Sequence, residues 1–314
     1  MNAQAASIVA ADALSKRFAG VAAVDGLSFA VNRGEIFGLV GPDGAGKTTT
    51  MRMLAGVLPP DAGSIAVDGV DVVADPEEAK QHISYMPQRF GLYEDLTVDE
   101  NIRFYADLFE VAADLREERA RRLLAASGMS EFRTRLAGQL SGGMKQKLGL
   151  TCALVHTPKI LLLDEPTTGV DPVSRRDFWR ILYGLREDGV TILITTAYLD
   201  EAERCNRLAL LHSGRVLYCD TPAALKQHMP GALVVISSSS GREVRSAIAD
   251  LAGVSNVILV GDGVHAVVDN AAQRIPELRD ALQRADVPFA DIAVGEPSIE
   301  DVFVALLENN GPRQ

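Results

Sequence analysis

The segment Gly41-Pro42-Asp43-Gly44-Ala45-Gly46-Lys47-Thr48 constrains this chain more than any other. It follows an all-apolar run, Ile36 to Val40, and precedes a helix-forming stretch, Lys47 to Ala55, that closes at Gly56 and Pro59-Pro60. A strand, a glycine loop and a helix in that order carry the spacing G-x-x-x-x-G-K-[ST] of a phosphate-binding loop. The glycines let the main chain wrap closely around an anion and turn successive N–H groups toward it. The helix that follows adds the positive end of its dipole. Lys47 is then expected on the β- and γ-phosphates of a nucleotide, with the Thr48 hydroxyl on Mg²⁺. A plain glycine turn before a helix is the simpler alternative, and the spacing and context together weigh against it.

Short apolar runs alternate with helical patterns along the rest of the chain, which signals an α/β fold. Ile8 to Ala13, Val24 to Val31, Ser64 to Val67, Asp71 to Val73 and Ile83 to Met86 read as strands, with turns at Asn32-Arg33-Gly34 and Asp68-Gly69. From Leu96 to Leu154 charged helical stretches replace the strand pattern, so a helical insertion is expected there. Strands resume at Ile160 to Leu163, Thr191 to Thr195, Leu208 to His212 and Arg215 to Tyr218. A boundary falls near Pro222 to Gly231. Beyond it the order is strand (Ala232 to Ser237), helix (Glu243 to Leu251), strand (Val257 to Val260), strand (Val264 to Val268), helix (Ala271 to Arg284) and strand (Asp291 to Val294). That β-α-β-β-α-β order predicts a small α+β, ferredoxin-like domain. The expected division is 1–222, with a helical subdomain at about 90–155, and 223–314. A length of 314 residues suits two domains.

Charge and cysteine usage narrow the class. Forty-two Asp and Glu against 31 Lys and Arg give a net charge of -11, which argues against general nucleic-acid binding, a property that depends on Lys and Arg at phosphates. No apolar run has the ~18 to 20 residues that a bilayer span needs, and Met1 to Ala13 lacks the basic start and apolar stretch of a signal peptide. Cys152, Cys205 and Cys219 show no CxxC spacing and no His/Cys metal cluster. A soluble intracellular chain with reduced thiols is expected.

Two further segments carry chemistry. Ile160 to Leu163 ends in Asp164-Glu165, a strand buried on both faces that delivers two carboxylates to the edge of a sheet. Asp164 is expected in the Mg²⁺ shell and Glu165 is placed to polarise an attacking water; an apolar strand ending in acidic residues is also a common pattern without function. Leu140-Ser141-Gly142-Gly143-Met144-Lys145-Gln146 is a second helix start with accessible amides, hence a second anion cradle.

These three elements, in this order and followed by Gly169-Val170-Asp171, resemble the ATP-binding-cassette ATPases over residues 8 to about 222. The resemblance implies a P-loop NTPase cassette with a mixed sheet and a helical subdomain, which binds ATP and Mg²⁺ and works as a homodimer or heterodimer. Two cassettes would sandwich two ATP molecules, each held by the loop of one and the Ser141-Gly142-Gly143 segment of the other. By the same resemblance the nucleotide contacts are Phe18, Gly41, Pro42, Asp43, Gly44, Ala45, Gly46, Lys47, Thr48 and Thr49. Phe18 would stack on adenine, or is a core phenylalanine. Gln88 would touch Mg²⁺ with Thr48 and Asp164, and would link to the helical subdomain. Catalysis would rest on Glu165, Lys47 and Gln88, and Asp171 matches an aspartate near the dimer axis.

One position departs from the family pattern. After the strand Thr191 to Thr195, Ala197 stands where the family usually has a histidine on the γ-phosphate. Losing one aimed donor typically costs about 10²- to 10³-fold in rate, so slow hydrolysis at this chain's own site is expected unless Thr196, Tyr198 or a water takes the role. The tail Glu296-Pro297-Ser298-Ile299-Glu300-Asp301-Val302-Phe303 resembles cassette subunits of ABC-2-type, drug-resistance-like exporters, and Gly91 to Asn101 looks like the same group. In the tail Ser298 and Asp301 can form a capping box. Ile299, Val302, Phe303, Leu306 and Leu307 share one helix face, as a closing helix packed on its own domain would require. The resemblance implies a separate ABC-2-type permease as partner, cytoplasmic placement on the inner face of the membrane, and no nucleic acid. Phe90 to Asn101 is the candidate permease-facing segment, or a surface loop and helix start. The competing classes are a nucleotide-switched cassette protein acting on ribosomes or nucleic acid, and a small-molecule kinase, which would leave Ser141 to Gly143 unexplained.

Overall fold

Two long strands, β1 (Ser7–Phe18) and β2 (Val21–Asn32), open the chain as an antiparallel pair and run longer than sequence alone predicts. Register shifts between Ala11 and Leu14, Leu14 and Lys16, and Lys16 and Arg17 break the two-residue alternation, so the period that marks a strand is lost there while the pairing continues. The computed structural model describes residues 7–89, 91–261 and 263–310, and Phe90 lies outside them. Contacts divide the chain into two units, one running to Asp220 and the other starting at Thr221. Thr221 caps the helix that follows by accepting from the Ala224 N–H, so the division falls just before the expected 222/223.

In the first unit β3 (Ile36–Val40), buried at all five residues, leads to α1 (Lys47–Leu54). Then come β4 (Ala62–Val67) and β5 (Val70–Asp71), which is shorter than the expected 71–73 strand. The chain turns away because the Asp71 carboxylate accepts from the Val73 and Ala74 N–H groups. Asp75 then caps an unanticipated helix, α2 (Pro76–His82), which has proline at its first position. β6 (Ile83–Met86) follows, then the helical stretch α3 (Val98–Leu108), α4 (Ala113–Ala126) and α5 (Gly142–Leu154). β7 (Ile160–Asp164), α6 (Pro172–Glu187), β8 (Thr191–Thr196), α7 (Leu199–Ala202), β9 (Arg207–His212) and β10 (Arg215–Asp220) complete it.

These strands make a four-stranded antiparallel sheet, β2-β1-β4-β5, and a six-stranded mixed sheet, β10-β9-β3-β8-β7-β6. In the second sheet only β10 runs antiparallel to its neighbour. Successive residues of its buried strands serve opposite faces. Phe37, Leu39, Ile160, Leu162 and Leu193 join a core with the antiparallel sheet and α1. Ile36, Leu161, Leu163, Ile192 and Ile194 join another with Leu123, Leu150 and Leu154 of α4 and α5 and with Phe178, Trp179 and Leu182 of α6. Burial on both faces is why these strands read as unbroken apolar runs.

The second unit begins with α8 (Pro222–Lys226) and continues β11 (Ala232–Ser237), α9 (Gly241–Ile248), β12 (Val254–Val260), β13 (Gly263–Val268), α10 (Ala271–Arg284), β14 (Asp291–Val294) and α11 (Ile299–Asn310). Helix α9 starts at Gly241 and ends at Ile248, earlier than the expected 243–251, and β12 begins three residues ahead of Val257. The antiparallel strand order β12-β13-β11-β14 is that of a ferredoxin-like sheet. Val234, Ile236, Val264 and Ala266 pack with Val244 and Ile248 of α9 and Leu278 and Leu282 of α10. Helix α11 is capped as its residues predict: Ser298 Oγ accepts from the Asp301 N–H, and the Asp301 carboxylate accepts from the Ser298 N–H.

Candidate functional site

β3, β6, β7 and β8 lie in one parallel array, and the segments that carry the chemistry leave from their carboxyl ends, the edge at which open α/β sheets bind ligands. Gly46 precedes α1 at φ +100, and a Cβ there would lie 2.5 Å from the Ala23 carbonyl oxygen. Glycine alone fits both demands. No side-chain hydrogen bond caps α1, so no capping oxygen competes for its first-turn N–H groups, as an anion-binding helix start requires.

Lys47 is 3% exposed, and its ammonium donates to the carbonyls of Gly41 at 2.8 Å and Pro42 at 3.0 Å. It also pairs with Glu165 at 3.0 Å. Glu165 is a non-glycine residue at φ +48, a strained conformation of the kind that collects at functional sites. Its N–H donates to Thr195 Oγ1, and its carboxylate accepts from Gln88 Nε2 at 3.0 Å. Glu165 therefore joins Lys47 and Gln88, the three residues expected to carry catalysis, by direct contact with each.

Asp164 is 1% exposed. Its Oδ1 accepts from Thr48 Oγ1 at 3.1 Å and Thr195 Oγ1 at 2.8 Å, and its Oδ2 from the Tyr85 hydroxyl at 3.2 Å. Burial and the adjacent Asp164 charge push Tyr85 up to about 12, so its phenol stays a donor. Tyr85 and Thr195 belong to no motif that marks them in the sequence, yet both bond Asp164. The signal was there: each is a polar residue near the end of a strand otherwise buried.

A cavity of about 640 Å³ gathers Asp43, Gly44, Gly46, Lys47, Thr48 and Thr49 on one side and Gln88, Glu165, Thr168, Ala197 and Tyr198 on the other. Gly41, Pro42 and Ala45 do not line it; the first two hold Lys47 through their carbonyls, and Ala45 is buried. Phe18 does not line it either. It ends β1 opposite Val21 and is 48% exposed, which corrects the core-phenylalanine alternative. Ala197 is exposed on the wall. The Thr196 hydroxyl donates to Glu201 at 2.9 Å and accepts from the Tyr198 N–H, while the Tyr198 ring lies under the Arg175 guanidinium at 4.4 Å.

The second cradle stands apart from this cavity. Ser141 caps α5 by accepting from the Met144 N–H, and none of Ser141, Gly142 and Gly143 lines the Lys47 cavity. Gly142 faces open space, whereas a Cβ at Gly143 would meet Ser174 Oγ of α6 at 2.5 Å. Asp171 caps α6, accepting from the Val173 and Ser174 N–H groups, and the bonds from Ser174 hold its carboxyl below the ordinary range.

The sequence model of the ABC transporter family matches residues 24–168. A probable multidrug ABC transporter ATP-binding protein, YbhF of Escherichia coli (strain K12), is 44% identical over 310 residues, 97% of this chain and 53% of the relative. The chain thus spans about half of that relative's length. The daunorubicin/doxorubicin resistance ATP-binding protein DrrA of Streptomyces peucetius is 35% identical over 98% of this chain and 94% of its own length. Nod factor export ATP-binding protein I of Burkholderia pseudomallei (strain K96243) is 40% identical over 93% and 94%. Among solved structures, an ATP-binding subunit of an ABC transporter superposes with a TM-score of 0.64 at 30% identity, over 70% of this chain and 92% of that one. A nucleotide-free ATP-binding cassette gives 0.64 at 25% identity, over 71% and 94%.

Proposed function

This chain belongs to the ABC transporter ATP-binding family, and from that premise we propose that it binds and hydrolyses ATP to drive export through a separate ABC-2-type membrane permease. The observation that carries the proposal is the separation of its two anion cradles. Gly44, Gly46, Lys47, Thr48 and Thr49 line the cavity with Glu165, and Ser141 to Gly143 do not, which supports a site closed by the Ser141-type segment of a second cassette. Pairing is what turns ATP binding into motion.

The residues present fit Mg²⁺. Thr48, Asp164 and Gln88 offer hydroxyl, carboxylate and amide oxygens, the hard donors that Mg²⁺ takes beside waters and phosphates, and Thr48 and Asp164 stand 3.1 Å apart. Bound there, Mg²⁺ would neutralise phosphate charge. This chain's own residues do the rest. Lys47 exchanges Glu165 for the β- and γ-phosphates, the amides of α1 hold their oxygens, and the freed Glu165 orients the water. Phe18, exposed at the β1–β2 tip, stacks on adenine. Ala197 offers no donor to the γ-phosphate, and Thr196 is bonded to Glu201, so turnover at this site is slow.

Residues 91–101 form the permease-facing surface, on the cytoplasmic side of the membrane. No helix among the described residues is long and apolar enough to cross a membrane. Tyr93 and Phe104 are exposed and meet edge to face at 4.6 Å. Buried Asn101 fixes the loop beneath them by accepting from the Tyr93 N–H and donating to the carbonyls of Tyr93, Leu96 and Thr97. The test is a transport assay on the chain with its permease: Tyr93→Asp is expected to keep ATP hydrolysis and lose export. Unchanged export would remove this surface from the account.

A further inference from the structure

Glu201 is a fully buried carboxylate that takes no part in the chemistry just described. It is 0% exposed and does not line the cavity. Its Oε1 accepts from Thr167 Oγ1 at 2.8 Å and from Arg175 Nε at 3.1 Å. Its Oε2 accepts from Thr196 Oγ1 at 2.9 Å and shares the Thr167 hydroxyl at 3.1 Å. Both threonines are themselves 1% exposed. A buried negative charge survives only when its lone pairs are met this fully, and taking away one partner leaves the others short.

The partners of Glu201 stand next to the cavity walls. Thr167 lies between Glu165 and Thr168, which both line the cavity, and Thr196 immediately precedes Ala197, which lines it from β8. The Thr196 hydroxyl that donates to Glu201 also accepts from the Tyr198 N–H at 3.0 Å. Arg175 brings in α6 and spans Glu201 and Asp200.

We infer that Glu201 is a positioning residue for hydrolysis: by gripping the Thr167 and Thr196 hydroxyls together it sets the spacing of Glu165 and the Ala197 wall across the γ-phosphate. The inference rests on the ATPase reading above. Nucleotide affinity comes from the loop and from α1, which Glu201 does not touch, so the clamp governs turnover and not binding. Misplacement of reacting groups by about 1 Å can cost about 10²-fold in rate.

The experiment uses the full chain with MgATP and measures binding by equilibrium dialysis and turnover by phosphate release under single-turnover conditions. Thr196→Val, which removes one hydroxyl at nearly constant shape, is expected to slow turnover about tenfold or more with ATP affinity held within about twofold. Thr196→Ser restores the hydroxyl and is expected to restore the rate. Glu201→Gln is expected to slow turnover similarly, and the double variant Thr196→Val/Glu201→Gln to be no slower than the worse single, because both cut one contact. Should Glu201→Gln fail to fold, the valine and serine pair decides. A wild-type rate in Thr196→Val, or a serine variant as slow as the valine one, overturns the clamp. An unaltered chain that binds no MgATP overturns the ATPase reading and the clamp with it, and the binding measurement tells that failure from the first.

Discussion

At Ala197 the proposed slow turnover rests on a single side chain. The cavity wall carries a methyl at this position, and the neighbouring hydroxyl of Thr196 is turned to Glu201. Ala197→His is therefore expected to raise single-turnover phosphate release by about 10²-fold, the usual worth of one aimed donor; an unchanged rate would show that the alanine is no handicap. Lys47 and Glu165 give a second expectation. Their 3.0 Å pair must open before the lysine can reach a phosphate, so Glu165→Gln is expected to bind MgATP severalfold tighter while losing hydrolysis, which titration and phosphate release measure together. The loop and the paired carboxylates stand out in the sequence because each lies in a short local pattern, whereas Gln88 is named only through the family resemblance. Tyr85, Thr195 and Glu201 do not stand out, since their meaning comes from partners far along the chain: 79 residues separate Tyr85 from Asp164, and 34 separate Thr167 from Glu201.

At the scale of elements, buried contacts tie helices to the sheets and give the fold its response to acid. His156, between α5 and β7, stacks flat on Phe109 at 3.8 Å, and burial pushes its pKa from 6.5 down to about 4. The folded state resists the proton that the unfolded chain accepts, so the stabilisation is complete above about pH 6.5 and is lost as the pH falls toward 4. Urea midpoints are expected to drop between pH 7 and pH 5, and His156→Phe, which keeps the stacked ring, to flatten that drop. In the second unit Asp301 caps α11 and receives His265 of β13 at 2.8 Å. Asp301→Ala is expected to cost about 1–2 kcal/mol by the loss of its carboxylate bonds to Ser298 and His265, read as a lower melting temperature; no change would mean that the Ser298 cap alone suffices for α11. The parallel strands were readable to within a residue or so because burial on both faces leaves an unbroken apolar run. β1 was not, because its bulges erase the period, and α2 was not, because seven residues with Ala79 alone buried carry too little amphipathic pattern to outweigh a strand reading beside them.

For the whole molecule, the claim is that one chain supplies half of each nucleotide site. The order of strand, loop and signature was visible in the sequence, whereas the distance between the two cradles was not, since only the fold shows that Ser141 to Gly143 stay outside the Lys47 cavity. The direct measurement is sedimentation of the hydrolysis-deficient Glu165→Gln chain with and without MgATP, alone and combined with Ser141→Arg. MgATP is expected to convert Glu165→Gln from single chains to pairs, and Ser141→Arg to abolish the pairing while each chain still binds nucleotide. A chain that binds MgATP and stays single, or pairs that form equally well with arginine at position 141, would contradict it.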